Sequence, residues 1–210
     1  MKIDFVSDIA CPWCAVGLNA LELALQQVQG EISVQLEFQP FELNPDMPPE
    51  GESVDAYLAR KYGRPPEERQ AMAATIRARG AEVGFEFAAR EHVWNTFDAH
   101  RLLMWAGSED PTAQRALKHA LLSAYHAQGL NPGDPQLLQT LAAECGLDPE
   151  RAAAVIGSDE YAQAVREREQ KWQALGIHSV PAVVINGRHL IQGGQPVEVF
   201  VRALREIAAL

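Results

Sequence analysis

Apolar residues recur along this chain in two rhythms, one near each end, with a helical stretch between them. Lys2 to Val6 reads as a short strand. After Cys11 and Cys14, Leu18, Leu21, Leu25 and Val28 fall at helical spacing and predict an amphipathic helix. Pro12 suits its first turn, where a missing N–H costs nothing, and Gly30 is its expected stop. Ile32, Val34, Leu36 and Phe38 then alternate with Ser33, Gln35, Glu37 and Gln39, the period of a half-buried strand. The first 40 residues therefore read β-α-β. At the other end Val180 to Ile185 is β-rich, and Asn186-Gly187 is a hairpin signal. His189 to Ile191 returns as its partner strand. Pro196 opens a last helix with Val197, Phe200, Val201, Leu204 and Ile207 inward. This end reads β-β-α.

Between them, residues 51–171 are rich in Ala, Leu, Glu, Gln and Arg and are expected to be all helical. Asp110-Pro111, Asp134-Pro135 and Asp148-Pro149 each read as an N-cap followed by a first-turn proline. Ser158-Asp159 is expected to begin a longer helix reaching Leu175. The expected α/β architecture is one four-stranded sheet built from residues 1–50 and 172–210, with 51–171 inserted between its halves.

Charge narrows the partners. The net charge of −10 argues against nucleic acid and anionic membrane, which bind basic surfaces. No run of about 18 apolar residues predicts a membrane span. The N-terminal residues lack the apolar core of a signal peptide, so the expected location is the cytoplasm. Lys2 is the sole basic residue among the first 50, against eight acidic ones. That excess either favours cationic partners or is a solvated face.

Three cysteines, Cys11, Cys14 and Cys145, are too few and too odd in number for a secreted disulfide framework. Cys11-Pro12-Trp13-Cys14 at a helix start has a physical logic. The first thiol sits beside unsatisfied N–H groups and the positive end of the helix dipole, and both stabilise a thiolate. Cys11 is the expected nucleophile and Cys14, one turn further in, the resolving thiol. Trp13 adds a flat apolar face for a substrate groove. A zinc site would need a second close pair of Cys or His ligands, which the sequence lacks, so no metal is expected. Cys145, alone at a helix end, reads as a small buried hydrophobe or a regulatory thiol.

Cys11-Pro12-Trp13-Cys14 after the first strand, with Ser179-Val180-Pro181 before the third, resembles the DsbA family of the thioredoxin superfamily, and within it the cytoplasmic FrnE-like branch. Phe41-Glu42-Leu43-Asn44-Pro45 and Asn95-Thr96-Phe97-Asp98-Ala99-His100 add weaker support. The resemblance implies a thioredoxin-like fold and a thiol–disulfide oxidoreductase acting on protein or small-molecule disulfides and thiols. It implies a cis Pro181 opposite the CxxC, Val180 pairing with a substrate strand, and Asn44, Asn95 and His100 facing the redox centre. It implies no tightly bound cofactor, with glutathione a possible co-substrate.

One position departs from the pattern. Many thioredoxin-like proteins carry a buried acid six residues before the nucleophile, where this chain has Phe5. Asp4 should face away from Phe5. Asp8, water or a residue of the insertion is left to take the proton of the resolving thiol.

The same fold also serves 2-hydroxychromene-2-carboxylate isomerases and kappa-class glutathione transferases, which need no resolving thiol. A chaperone-like groove around Trp13 and Phe41 is a third reading. Independently of the resemblance, Gly193-Gly194-Gln195 before the last helix has the free N–H groups and side-chain amide of a weak site for the γ-glutamyl carboxylate of glutathione.

Overall fold

The computed structural model describes residues 1–63 and 65–210. Among these residues the main sheet has four strands: β1 (Lys2–Ser7), β2 (Gln35–Pro40), β5 (Ala182–Ile185) and β6 (His189–Gln192). Their order is β2-β1-β5-β6, with β1 and β2 parallel and the other pairs antiparallel. A right-handed crossover is the rule for such a parallel pair, and α1 (Pro12–Gln27) supplies it. The hairpin turns through Asn186 (φ 52°) and Gly187 (φ 67°), the left-handed pair that a type I′ turn requires.

Strand alternation divides the sheet. Ile3 and Phe5 face the main core with α1 and α9 (Val197–Ala208). Val6, Ala182 and Val184 face the other way, onto Trp172 and Ile177. Asp4 is turned away from Phe5, where its carboxylate accepts from Gln39 Nε2 at 2.7 Å. β2 starts at Gln35 rather than Ile32, because its first ladder partner is Lys2 at the start of β1.

The insertion contains α2 (Val54–Tyr62), α3 (Pro66–Glu82), α4 (Phe97–Glu109), α5 (Pro111–His126), α6 (Pro135–Glu144), α7 (Pro149–Ile156) and α8 (Ala162–Ala174). It is not helical throughout. β3 (Glu52–Ser53) and β4 (His92–Val93) pair as a short antiparallel ribbon. The three Asp-Pro starts hold: Asp110 accepts from Thr112 N, Asp134 from Leu137 N, and Asp148 from Glu150 N.

The helix expected from Ser158 begins only at Ala162, after Tyr161 in the left-handed region (φ 63°). Arg101 explains the delay. Its guanidinium donates to the carbonyls of Val155, Ser158 and Glu160, so this segment is held as a turn around a buried cation. The main core is continuous from sheet to insertion: Leu102, Trp105, Leu117 and Leu121 pack in the same cluster as Phe5, Leu18 and Phe200.

Candidate active site

β1 delivers the chain into a tight turn, Ser7–Cys11, at the edge of the helix. Cys11 is the N-cap of α1 with extended backbone (φ −88°, ψ 113°), and Pro12 occupies the first turn. Cys14 N donates to Cys11 O at 3.0 Å, which brings the second thiol under the first. Cys11 is 4% exposed and its Sγ lies 3.6 Å from Val180 O. The Val180–Pro181 peptide bond is cis. Pro181 is seated against the helix: a Cβ on Gly17 would lie 2.9 Å from Pro181 Cγ, so only glycine permits this approach.

Cys11 opens into a cavity of about 500 Å3. Pro12, Trp13, Phe41, Leu43, Tyr57, Leu58, Tyr62 and Val180 give it an apolar wall, with Glu42, Asn44, Lys61, Arg90, His178 and Ser179 among its polar groups. Lys61 Nζ donates to Asn44 Oδ1 and to Leu43 O, both at 2.8 Å, while Asn44 Nδ2 is buried without a partner. Arg90 stacks over Tyr125 at 4.8 Å and donates to Ala10 O.

Cys14 is fully buried. Burial pushes its thiol well above the usual value, and the neighbouring Cys11 adds to the rise, while the charge of Lys118 acts in the opposite direction. Beneath the Cys11 turn lies Asp8, 1% exposed. Its carboxylate accepts from Ala10 N (3.0 Å), Leu43 N (2.7 Å) and Thr96 Oγ1 (2.8 Å), and His100 Nε2 is 3.4 Å away. Burial alone would raise the Asp8 carboxyl; the His100 contact and the backbone donors outweigh it and hold it below the usual range.

Further out, Glu42 and Glu169 share the Arg166 guanidinium. One oxygen of each carboxyl is buried and unpartnered. Burial, then repulsion from Glu169, lifts the Glu42 carboxyl to about 8, against the pull of Arg166.

The residues singled out from sequence divide accordingly. Cys11, Pro12, Trp13, Asn44 and Val180 line one cavity. His100 reaches Asp8, in the layer below Cys11, rather than the cavity. Asn95 is committed elsewhere: it donates to Met47 O at 2.7 Å and accepts from Phe97 N at 2.8 Å, bracing a loop and the start of α4.

In the Gly193–Gln195 turn three donors are used within the chain. Gly193 N donates to Pro181 O (2.8 Å), Gln195 N to Gly193 O (2.9 Å) and Gln195 Nε2 to Gln192 O (2.7 Å). Gly194 packs on Trp13, whose carbonyl would lie 3.2 Å from an added Cβ. The turn thus supports Trp13 and Pro181 from behind.

Sequence reasoning passed over Lys118, Tyr57, Tyr62 and Arg90. Lys118 left one signal: it lies four residues before Leu122 and seven before Tyr125, on a stripe that is buried.

A family profile described as the DSBA-like thioredoxin domain matches residues 2–205. The chain belongs to the DsbA-like thioredoxin domain family. This DsbA-like chain superposes on the crystal structure of a probable DsbA oxidoreductase from Streptomyces coelicolor with a TM-score of 0.93 and 33% identity, over 100% of this chain and 90% of that one. It is 24% identical over 212 residues to the uncharacterized protein YwbO of Bacillus subtilis, covering 98% of this chain and 96% of that protein. The fold is shared with a cytosolic disulfide reductase, DsbM of Pseudomonas aeruginosa, whose structure includes GSH (TM-score 0.68, 17% identity, 100% of both chains). It is shared also with a 2-hydroxychromene-2-carboxylate isomerase (TM-score 0.74, 14% identity, 99% of this chain and 96% of that one).

Proposed function

We propose that this DsbA-like protein is a thiol–disulfide oxidoreductase of the FrnE-like branch, working through Cys11 and Cys14. The observation that carries this reading is the asymmetry of the pair. Cys11 meets a cavity at a helix N-terminus, and Cys14 lies buried one turn beneath it. In the reductive direction the Cys11 thiolate attacks a substrate disulfide, one substrate sulfur leaves as a thiolate, and a mixed disulfide forms. Cys14 loses its proton, attacks Cys11 Sγ and expels the second substrate sulfur. The protein is left oxidised by two electrons; the reverse sequence oxidises a dithiol substrate.

Val180 O beside Cys11 and the unpartnered Asn44 Nδ2 offer an acceptor and a donor to an extended substrate segment. The apolar wall suits a protein or peptide chain. Glutathione is a natural small thiol for the same cavity, and the cytoplasm is the compartment this chemistry fits.

The test is capture. In a Cys14→Ser variant a substrate should remain linked to Cys11, whereas Cys11→Ser should capture nothing. Adducts on Cys14, or none in either variant, would overturn the assignment. The isomerase fold neighbour defines the contrasting outcome. A glutathione-dependent isomerase would keep full turnover in Cys14→Ser, since it needs no resolving thiol.

A further inference from the structure

A second cavity, of about 420 Å3, shares no lining residue with the one at Cys11. It runs along β2 between α4, α5 and α8, and its rim carries the exposed residues Gln35, Ser108 and Arg168. Its floor is reached by His100 and Lys118. Lys118 is 1% exposed and, among the described residues, has no hydrogen bond or ion pair. A lysine is almost never found so deep without a partner. The negative charge of Cys14, Asp8 and Cys11, when ionised, favours its ammonium form. It lines a passage to solvent that the Cys11 cavity does not share, and its helix α5 packs against α1, which carries Cys14.

We propose that Lys118 is the base that takes the Cys14 proton during resolution, and that the rear cavity carries this proton to solvent while substrate covers Cys11. The inference rests on the disulfide-exchange reading. In the step, neutral Lys118 Nζ accepts the Cys14 S–H proton. The Cys14 sulfur bonds to Cys11 Sγ, and the substrate sulfur leaves with the electron pair of the broken S–S bond. The resulting ammonium passes its proton to water in the rear cavity.

Three other groups are poorer bases here. Position 5, on the first strand, is a phenylalanine. Asp8 already accepts three hydrogen bonds and is held below the usual carboxyl range, far from the raised Cys14 thiol. His126 is bound to Ile9 O through Nε2, and burial holds it well below its ordinary value. Burial lowers Lys118 to about 8, so a sizeable fraction is neutral near physiological pH, and a base matched to the operating pH is the efficient one.

The experiment separates capture from release. With a disulfide-linked peptide, mixed-disulfide formation at Cys11 and its resolution by Cys14 are timed in the native protein, Lys118→Ala and Lys118→Met. Resolution should slow by ~100-fold, the usual worth of a positioned base, and capture by far less. The native resolution rate should rise with pH through the Lys118 titration, and that limb should vanish in both variants. Cys14, Cys11 and Asp8 at the redox turn, His100 on α4, His126 on α5 and Arg168 on α8 remain present in all.

Small primary amines added to Lys118→Ala should restore resolution in proportion to free base, and Ser108→Trp at the cavity rim should block that rescue. Native resolution rates in both variants, or slowing without amine rescue, would overturn the role of Lys118. Rescue indifferent to Ser108→Trp would overturn the route. Absence of any Cys11 adduct in Cys14→Ser would instead overturn the exchange reaction itself.

Discussion

The two faces of the redox pair are built from different materials. In front of Cys11, aromatic and aliphatic side chains from α2, the Phe41–Leu43 segment and Trp13 surround a half-open cavity. The rear cavity is walled by β2, α4, α5 and α8; beside the apolar Leu36, Phe38, Leu103 and Met104 it presents Gln35, Glu37, Gln39, His100, Lys118 and Arg168. An apolar wall gains from receiving a chain and asks little of its side-chain chemistry. The recess with more polar groups in its lining is the less costly place for a charge, which an apolar wall penalises. Helices between β2 and β5 line both cavities, α2 the one at Cys11 and α4, α5 and α8 the one at Lys118.

The sharpest way to break this division is at Asp8, which lies between the two faces. Asp8→Asn replaces a carboxylate that accepts three hydrogen bonds with an amide that must turn donors toward donors. The expected loss is about 2–4 kcal/mol, read by equilibrium denaturation. Its pH signature has a defined sign. The Asp8 carboxyl is depressed in the folded chain, so its contribution is present above the unfolded value and is lost as pH falls through the folded one. Native stability should therefore decline below about pH 4, and more steeply than in Asp8→Asn. Parallel acid limbs would remove Asp8 from its place as the hub.

Trp13→Ala probes the front alone. Trp13 lines the cavity without touching the rear recess. Losing its face should raise KM for an apolar peptide disulfide about tenfold, equivalent to ~1.4 kcal/mol, with little change for a small charged disulfide. Equal effects on both substrates would show that the front wall does not select.

The smallest effect is expected at Glu42, at the rim of the front cavity beside Arg166 and Glu169. Its carboxyl is raised in the fold, so its stabilising contribution is full below the unfolded value and is lost as pH rises toward about 8. Glu42→Gln, neutral at every pH, should match the native protein near pH 4.5 and melt above it at pH 9. Equal melting at pH 9 would mean that Glu42 is ionised there without penalty.

Local rules made much of this molecule legible from its residues. Strand alternation placed Ile3, Phe5 and Asp4 on their proper sides. The three Asp-Pro pairs start three helices because capping and proline geometry are decided within four residues. The left-handed Asn186-Gly187 turn follows from the same kind of local preference. Cys11 at a helix start, with Cys14 one turn in, needs nothing beyond the spacing CxxC and a proline.

What escaped had causes far away in the chain. The late start of α8 depends on Arg101, more than fifty residues upstream, occupying the carbonyls that a helix would use. The side-chain amide of Asn95, the N–H of Gly193 and the side-chain amide of Gln195 are bound to the carbonyls of Met47, Pro181 and Gln192, and the first two partners are ones no local pattern reveals. Lys118 reads as one more solvated cation on a helix. It is buried because α5 packs against α1 on one side and α4 on the other. The residues alone determined where the reactive sulfurs sit on a helix. Only tertiary packing decided what surrounds each of them, because burial and the electrostatic field at a thiol are sums over elements distant in sequence.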